Sequence, residues 1–195
     1  GMDAMAITDH GVMFGAIDFY KACKANGIKP IIGCEVYVAP RRMADRDPSI
    51  DNRYNHLILL AKDNNGYKNL AKLVSLGFTD GFYYKPRIDK EVLEKYHEGL
   101  ICSSACLAGE VASEIVKGDM EAAKKSALWF KSIFGEDYYL EIQNNGIKEQ
   151  VLVNQKLIQL SRELDIPLLA TNDSHYLKKE DAYNHEVLLC IQTGK

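Results

Sequence analysis

The order of β-rich and helical segments along the chain is the feature that most constrains its fold. Short runs of apolar and β-branched residues alternate with longer segments whose apolar residues recur at helical spacing. This alternation is typical of a largely parallel sheet or barrel, because each helix carries the chain back to start the next parallel strand. The predicted strands cover 3–8, 30–40, 56–62, 99–105, 137–143 and 166–171, and the predicted helices cover 14–27, 64–78, 90–96, 109–118, 119–135, 148–165 and 179–192.

The composition is that of a soluble globular protein. Of 195 residues, 47% are hydrophobic and 26% are charged, which is enough for one domain with a real core. No apolar run approaches the ~20 residues that cross a bilayer, so no membrane partner is predicted. A formal net charge of −3 argues against a free-standing nucleic-acid binder that works by bulk charge, although it leaves room for a local basic groove.

The cysteines indicate a reducing compartment. Their number, five, is odd, and their spacing matches no disulfide framework of secreted proteins. The sequence contains no Cys-x-x-Cys pair, which argues against a structural zinc ribbon. We therefore predict a cytoplasmic protein.

Metal-binding residue types follow the first and the last predicted strand. The motif "TDHG" places Asp9 and His10 after the first strand, and "TNDSHY" places Asp173 and His175 after the last. The carboxyl ends of parallel strands meet at one end of a barrel, where the catalytic residues of such folds lie. Imidazole and carboxylate groups there could hold metal ions that hydrolyse phosphate esters.

Three further residues could join this site. Glu35 lies in or near the end of "IIGCEVY", and Cys106 follows "LICSSA" by a short turn. His56 stands at the start of its predicted strand rather than at its end. It can reach the site only if that strand runs against its neighbours or the preceding loop folds back.

Each candidate also has an ordinary structural interpretation. An Asp–His pair after a strand is often a turn with a helix cap, which would explain Asp9 and His10. Asp173 can equally close a turn, Glu35 can be a surface strand residue, and Cys106 can be a buried, inert thiol. From spacing alone both interpretations stay open.

Two polar stretches could contact nucleic acid. The segment "GFYYKPRIDK" (81–90) interleaves aromatic and basic residues that could stack on bases, although we favour an exposed aromatic loop packed on the domain. Segment 41–55 is predicted to be a long mobile loop. Its residues Arg41, Arg42 and Arg46 could grip phosphate, with a solvated loop as the simpler expectation.

Four longer segments occur together in the order of a known family. They are "MAITDHGVMFGAIDFYKACKANGIKPIIGCEVYVAP", "YNHLILLAKDNNGYKNLAKLVSLGF", "LICSSACLAGEV" and "LLATNDSHYLKKEDAYNHEVLLCIQTGK". They resemble the PHP (polymerase and histidinol phosphatase) domain, in the form found at the N-terminus of bacterial replicative DNA polymerases. The resemblance covers essentially the whole chain. It implies an α/β fold, a distorted (β/α)7 TIM-like barrel, with a cluster of up to three metal ions.

The resemblance also assigns roles to individual residues. The implied metal ligands are His10, Glu35, His56, Cys106, Asp173 and His175. Asp9 is implied to orient the His10 imidazole without binding the metal itself. The implied catalytic residues are Asp9, His10, Asp173 and His175. A mixed nitrogen, oxygen and sulfur set favours zinc, with manganese or iron as alternatives.

One motif of the family is missing. Family members begin with a His-x-His motif on the first strand, and this sequence contains no such pair. We therefore expect a single PHP domain over 1–195 that lacks its first βα unit and is cut from a longer polymerase at its C-terminus. Such a chain would bind fewer ions than the complete domain and would be impaired as a hydrolase.

Three functions remain in competition. The first is the PHP domain of a DNA-directed DNA polymerase in DNA replication, whose parent domain is a metal-dependent phosphoesterase with 3′–5′ exonuclease activity. The second is a non-catalytic structural module that docks a proofreading exonuclease subunit. The third is a free-standing phosphatase of the histidinol phosphatase type, which "GFYYKPRID" and "CLAGEV" disfavour. The implied partners are DNA, the remaining polymerase domains and the proofreading subunit.

Overall fold

The computed structural model describes residues 1–194 and shows helices alternating with the strands of one curled sheet. The predicted α/β class is confirmed, and the sheet forms part of a TIM-like barrel. The strands are β1 Ala4–Ile7, β2 Lys29–Val38, β3 Asn55–Ala61, β4 Phe82–Tyr83, β5 Lys85–Ile88, β6 Leu100–Ser103, β7 Tyr138–Gln143 and β8 Leu168–Thr171. The helices are α1 Ala16–Ala25, α2 Asn64–Thr79, α3 Lys90–Lys95, α4 Glu110–Lys117, α5 Met120–Phe134, α6 Lys148–Leu164 and α7 Ala182–Thr193.

The sheet is built around the long strand β2. The strands β4, β5, β2, β3, β6, β7 and β8 follow one another across the sheet, and β1 also pairs with β2. Residues 29–32 of β2 pair with β1, whereas residues 37–38 pair with β5. The pairs β6–β7 and β7–β8 are parallel, as strands joined by crossover helices usually are.

Strand β3 is antiparallel to its neighbours, which explains how His56 can reach the site from the start of its strand. β3 is antiparallel to both β2 and β6. His56, at the start of β3, lies opposite Tyr37 near the end of β2. One of the two conditions stated for His56 is therefore met, and its side chain lies at the same end of the barrel as the end of β2.

Aspartate caps and apolar stripes explain where the helices form. Asp63, Asp89 and Asp119 each accept a hydrogen bond from a backbone N–H three residues later, at 2.8, 3.0 and 2.9 Å. The following helices bury an apolar face in the core; Leu70 and Leu73 of α2, for example, are fully buried. Burying such side chains contributes about 2 kcal/mol each to folding.

The aromatic and basic stretch 81–90 is not a simple loop. It forms the hairpin β4–β5, and β5 pairs in parallel with the end of β2. The hairpin begins at Gly81, where a Cβ atom would lie 1.8 Å from the carbonyl oxygen of Arg87. The alternating polar and apolar pattern that predicts a strand is absent here. Arg87 occupies a buried strand position, where that pattern would place an apolar residue.

The Arg87 guanidinium explains how the polar segment 41–55 is held. It donates hydrogen bonds to the carbonyl oxygens of Asp51 (2.7 Å), Met43 (3.1 Å) and Asp45 (3.0 Å), and to that of Gly81 (3.2 Å). The buried Asp51 carboxylate in turn accepts two hydrogen bonds from Arg41. The polar composition of this segment predicts a mobile loop. In the structure, hydrogen bonds from the buried Arg87 side chain hold the segment against the sheet.

The chain's last helix carries many exposed apolar side chains. A 3-10 turn at Lys179–Asp181 precedes α7, so the predicted helix begins later than expected. The exposed apolar residues of α7 are Tyr183, Val187, Leu188, Leu189 and Ile191.

Across residues 1–194, the structure contains no helix with the length and apolar character that crossing a membrane requires.

Candidate metal centre

Glu35 stands at the centre of the candidate site. It lies on β2, is 5% exposed, and directs its carboxylate between two histidines. Its Oε1 is 2.7 Å from Nδ1 of His56, and its Oε2 is 3.5 Å from Nδ1 of His10. Two histidines from separate segments of the sequence thus meet at the Glu35 carboxylate.

The backbone explains why His10 reaches this carboxylate. Beyond β1 the chain stays alongside β2, with the Glu35 N–H donating to the carbonyl of Asp9 (3.1 Å) and the Gly11 N–H donating to the carbonyl of Glu35 (2.9 Å). Gly11 then turns the chain with a φ of +68°. A Cβ atom there would lie 2.8 Å from the Tyr37 ring, so the turn requires glycine at this position.

A tight turn after β6 brings Cys106 to the same place. Its Sγ is 3.6 Å from Nδ1 of His56 and 3.9 Å from Oε1 of Glu35. The turn docks on β3, because the His56 N–H donates to the carbonyl of Ala108 at 3.0 Å. It is so compact that a Cβ atom on Gly109 would lie 2.0 Å from the carbonyl oxygen of Ser104.

Asp173 and His175 approach from the loop after β8. The ring centroid of His175 is 5.7 Å from that of His10. Within the loop, Nδ1 of His175 lies 2.9 Å from the carbonyl oxygen of Asp173 and 3.9 Å from its carboxylate. Asp173 has a φ of +48°, a left-handed conformation that aspartate tolerates better than most residues. The structure therefore brings all six predicted ligands to one end of the barrel.

Asp9 does not face its predicted partner. Within residues 1–194 its carboxylate makes no hydrogen bond to His10, and its Oδ2 lies on the side of Gly15, the residue before α1. Its backbone carbonyl is the group that supports the site, since it accepts from the Glu35 N–H and from the Cys34 thiol at 3.3 Å. A role for the Asp9 side chain stays a prediction.

Two tyrosines outside the predicted ligand set form walls of the site. Tyr37 stacks on His10 with ring centroids 6.0 Å apart, and Tyr54 stacks on His56 at 6.1 Å. Each tyrosine stands two residues from a predicted ligand, Glu35 or His56, and side chains two apart on an extended chain share a face. That spacing was the signal available in the sequence.

His185 lies at the outer edge of the site. Its sequence context, "NHEVLLC", lacks the second histidine of a metalloprotease helix and so does not by itself predict a metal site. In the structure its ring centroid is 5.6 Å from that of His175 and 5.4 Å from that of Tyr176. It thus contacts the loop that carries two candidate ligands.

The two inner histidines have opposite pKa shifts. Burial lowers the pKa of His10, and the neighbouring rings of His56 and His175 add to this effect against the opposing charge of Glu35. Burial also acts to lower the pKa of His56, but hydrogen bonds with Cys106 and Glu35 outweigh it and raise this pKa to about 9. Without metal, the His56 ring is thus held as a cation against Glu35.

The donor set suits a transition metal. One potential ligand atom each from His10, Glu35 and His56 lies within 4.8 Å of the others. The Cys106 thiol adjoins them and supplies the sulfur that zinc accepts readily. Imidazole, carboxylate and thiolate together match a tetrahedral zinc site better than a magnesium site, which takes oxygen ligands.

The raised pKa of His56 predicts a pH-dependent stability for the metal-free chain. A folded pKa of about 9 against an ordinary value of 6.5 means that protonated His56 stabilises the fold fully below pH 6.5 and loses this effect as the pH rises through 9. We expect the free energy of unfolding, measured with urea and a chelator, to fall by on the order of 2 kcal/mol across that window.

The matched control for this pH dependence is His56→Gln, which removes the titrating group. Its unfolding free energy should vary much less between the two ends of the window. The lowered pKa of His10 acts below pH 6.5 and leaves the window unaffected. A native chain whose stability is flat or rises over the window would contradict the His56–Glu35 ion pair.

Comparison with known proteins identifies the family. The chain belongs to the PHP domain family, which matches residues 1–145. It also aligns over nearly its full length with proteins named DNA polymerase III subunit alpha. The relative from Borreliella burgdorferi is 53% identical over 194 residues, which are 99% of this chain and 17% of that protein.

Two further relatives of the same name give the same result. That from Treponema pallidum is 48% identical over 197 residues, and that from Campylobacter jejuni is 50% identical over 206 residues. Each covers 100% of this chain, and the chain spans 17% of the length of each relative. The predicted resemblance to the PHP domain of a bacterial replicative polymerase is therefore confirmed.

Proposed function

We propose that this chain serves in DNA replication as the PHP domain of a DNA polymerase III alpha subunit, and that its pocket binds metal for phosphodiester hydrolysis. The observation that carries the proposal is the meeting of His10, His56 and Cys106 at the Glu35 carboxylate. The relatives' name supplies the replicative setting. The parent activity would be removal of nucleotides from a 3′ end.

Each residue would have a definite task in this pocket. A bound zinc, manganese or iron ion would polarise a phosphoryl oxygen and lower the pKa of water. Glu35 would hold the metal from the buried side, with His10 and His56 on either side of it. Tyr37 and Tyr54 would limit the motion of the two imidazoles. Asp173 and His175 would close the more exposed side.

A cleft beside Tyr54 supports a phosphate-bearing substrate. It has a volume of about 570 Å³, and its lining includes Arg42 and Arg53. Four acidic residues also line it, and two of them, Glu110 and Glu114, are paired with lysines. Within residues 1–194 neither arginine forms an ion pair, whereas Arg41 in the same cleft is held by Asp51. The two arginines are thus available for a phosphate backbone, which guanidinium groups bind well.

The exposed apolar surface of α7 favours a second function. Leu188 and Ile191 are 63% and 74% exposed, which is unusual for helical apolar residues unless another surface covers them. We therefore keep the alternative of a structural module that docks other parts of the polymerase or a proofreading exonuclease subunit. DNA and the remaining polymerase domains are the other proposed partners, and the proposed compartment is the cytoplasm.

The experiment that tests the catalytic proposal uses the full-length polymerase that contains this chain. Its 3′–5′ exonuclease activity on single-stranded DNA is compared with that of the double variant Asp173→Ala, His175→Ala. We expect the variant to lose more than about tenfold in exonuclease rate while primer extension is retained. Equal exonuclease rates, or a parent protein that folds without any metal, would support the structural module instead.

A further inference from the structure

A buried carboxylate lies next to the candidate metal centre, and it is not one of the six predicted ligands. Glu141, on β7, is 6% exposed. Its Oε1 accepts hydrogen bonds from the hydroxyl of Thr171 (2.5 Å) and the side-chain amide of Gln143 (2.9 Å). Its Oε2 accepts a hydrogen bond from the hydroxyl of Ser103. Both oxygens are therefore used, and every donor is an uncharged side chain.

These bonds join three consecutive strands at their carboxyl ends. Ser103 is the last residue of β6, and Thr171 is the last residue of β8. The backbone N–H of Glu141 also donates to the hydroxyl of Ser104 at 2.8 Å. One side chain on β7 thus ties down both neighbouring strands at the point where they leave the sheet.

Candidate ligands follow directly after both tied positions. Cys106 comes three residues after Ser103, beyond Ala105, whose φ is +60°. Asp173 comes two residues after Thr171 and has a φ of +48°. Turns with positive φ values need support from their surroundings, and the Glu141 carboxylate anchors the start of each.

Glu141 and Cys106 lie on the same small cavity. A cavity of about 10 Å³ is lined by both residues, and Gln143 and Gln150 also line it. Gln150 extends the polar cluster by donating to the side-chain oxygen of Gln143 at 3.3 Å. Because this cavity is so small, a displacement of the Glu141 side chain would also displace the Cys106 turn.

Burying a carboxylate among neutral donors costs free energy that an apolar side chain of similar volume would not. A site that only needed a filled core would be served by leucine. The geometry points to a positioning role: Glu141 sets the distance between Cys106 on one side and Asp173 and His175 on the other, without touching the metal. This inference rests on the proposed metal site.

The test compares three variants of the whole chain. Glu141→Leu removes both ties at similar volume. Glu141→Gln keeps them, because its amide oxygen can accept from Thr171 and Gln143 while its NH2 group donates to the Ser103 hydroxyl. Ser126→Ala is the control, since it removes a buried hydrogen bond to Glu110 that lies on the helices. Circular dichroism and urea unfolding establish that each variant folds.

The readouts are cobalt(II) affinity, the absorption band of a cysteine thiolate bound to cobalt, and the alkylation rate of Cys106 followed by mass spectrometry. For Glu141→Leu we expect cobalt affinity to fall about 10- to 100-fold, the thiolate band to weaken, and alkylation of metal-free Cys106 to quicken. Glu141→Gln and Ser126→Ala should stay within about threefold of the native chain in all three.

Should Glu141→Leu fail to fold, Thr171→Val replaces it, because it cuts only the tie to β8. Its cobalt affinity should fall while the Cys106 alkylation rate stays native. Native cobalt affinity together with native alkylation in Glu141→Leu, or native cobalt affinity in Thr171→Val, would overturn the inference alone. A native chain that binds no cobalt would overturn the proposed metal site, and the alkylation rates would still decide whether Glu141 positions Cys106.

Discussion

Replacing Glu35 with glutamine is expected to lower the zinc affinity of the chain by more than the ~100-fold typical of residues that only support a ligand. The Glu35 carboxylate lies 2.7 Å from Nδ1 of His56 and 3.5 Å from Nδ1 of His10. Glutamine keeps the shape of the side chain but removes the negative charge that a buried divalent ion requires. Competition with a chelating dye at neutral pH measures the affinity.

The control for this variant is Glu114→Gln. It removes the same charge from an ion pair with Lys117 on α4, away from the histidines. Its zinc affinity should equal that of the native chain. The His56 pKa should also return towards its ordinary value in Glu35→Gln, because Glu35 is one of the two groups that raise it. Native zinc affinity in Glu35→Gln would contradict the assignment of the metal centre to Glu35 and its neighbouring histidines.

Replacing Arg87 with methionine is expected to lower the free energy of unfolding by about 3 to 5 kcal/mol. The guanidinium is fully buried and serves four backbone carbonyls, three of them in segment 41–55. Methionine fills a similar volume but leaves these carbonyls without a donor. Urea unfolding measures the loss, and Arg87→Lys, with fewer donors in a different geometry, should lie between the two.

Arg46→Met is the control for the Arg87 variant, because Arg46 belongs to the same segment but is exposed. Its stability should stay within about 0.5 kcal/mol of the native value. Segment 41–55 contains Tyr54 and ends one residue before His56, so Arg87→Met should also weaken zinc binding. A stability loss below about 1 kcal/mol would show that segment 41–55 does not depend on this cation.

The alternation of strands and helices was predictable because each buried run and each capped helix has a local signature. Asp63, Asp89 and Asp119 cap helices whose starts the sequence indicated. The candidate ligands Asp173 and His175 could be placed because strand carboxyl ends converge in a barrel of this kind. For these features, local chemistry and global fold give the same answer.

Other features depend on contacts that no local pattern records. The direction of β3 is set by pairing with β2 and β6, so spacing could only state the condition under which His56 joins the site. Arg87 and Glu141 are polar residues at buried strand positions, and a pattern of alternating polarity places such residues outside. Their partners lie far away in the sequence, and only the folded chain brings them together.

The most direct test of the central claim is X-ray absorption spectroscopy of the zinc-loaded chain. We expect nitrogen and oxygen neighbours from His10, Glu35 and His56 at about 2.0 to 2.2 Å and one sulfur neighbour from Cys106 at about 2.3 Å. A zinc ion surrounded by oxygen atoms alone, with no sulfur and no imidazole signature, would contradict the convergence of these side chains on one metal.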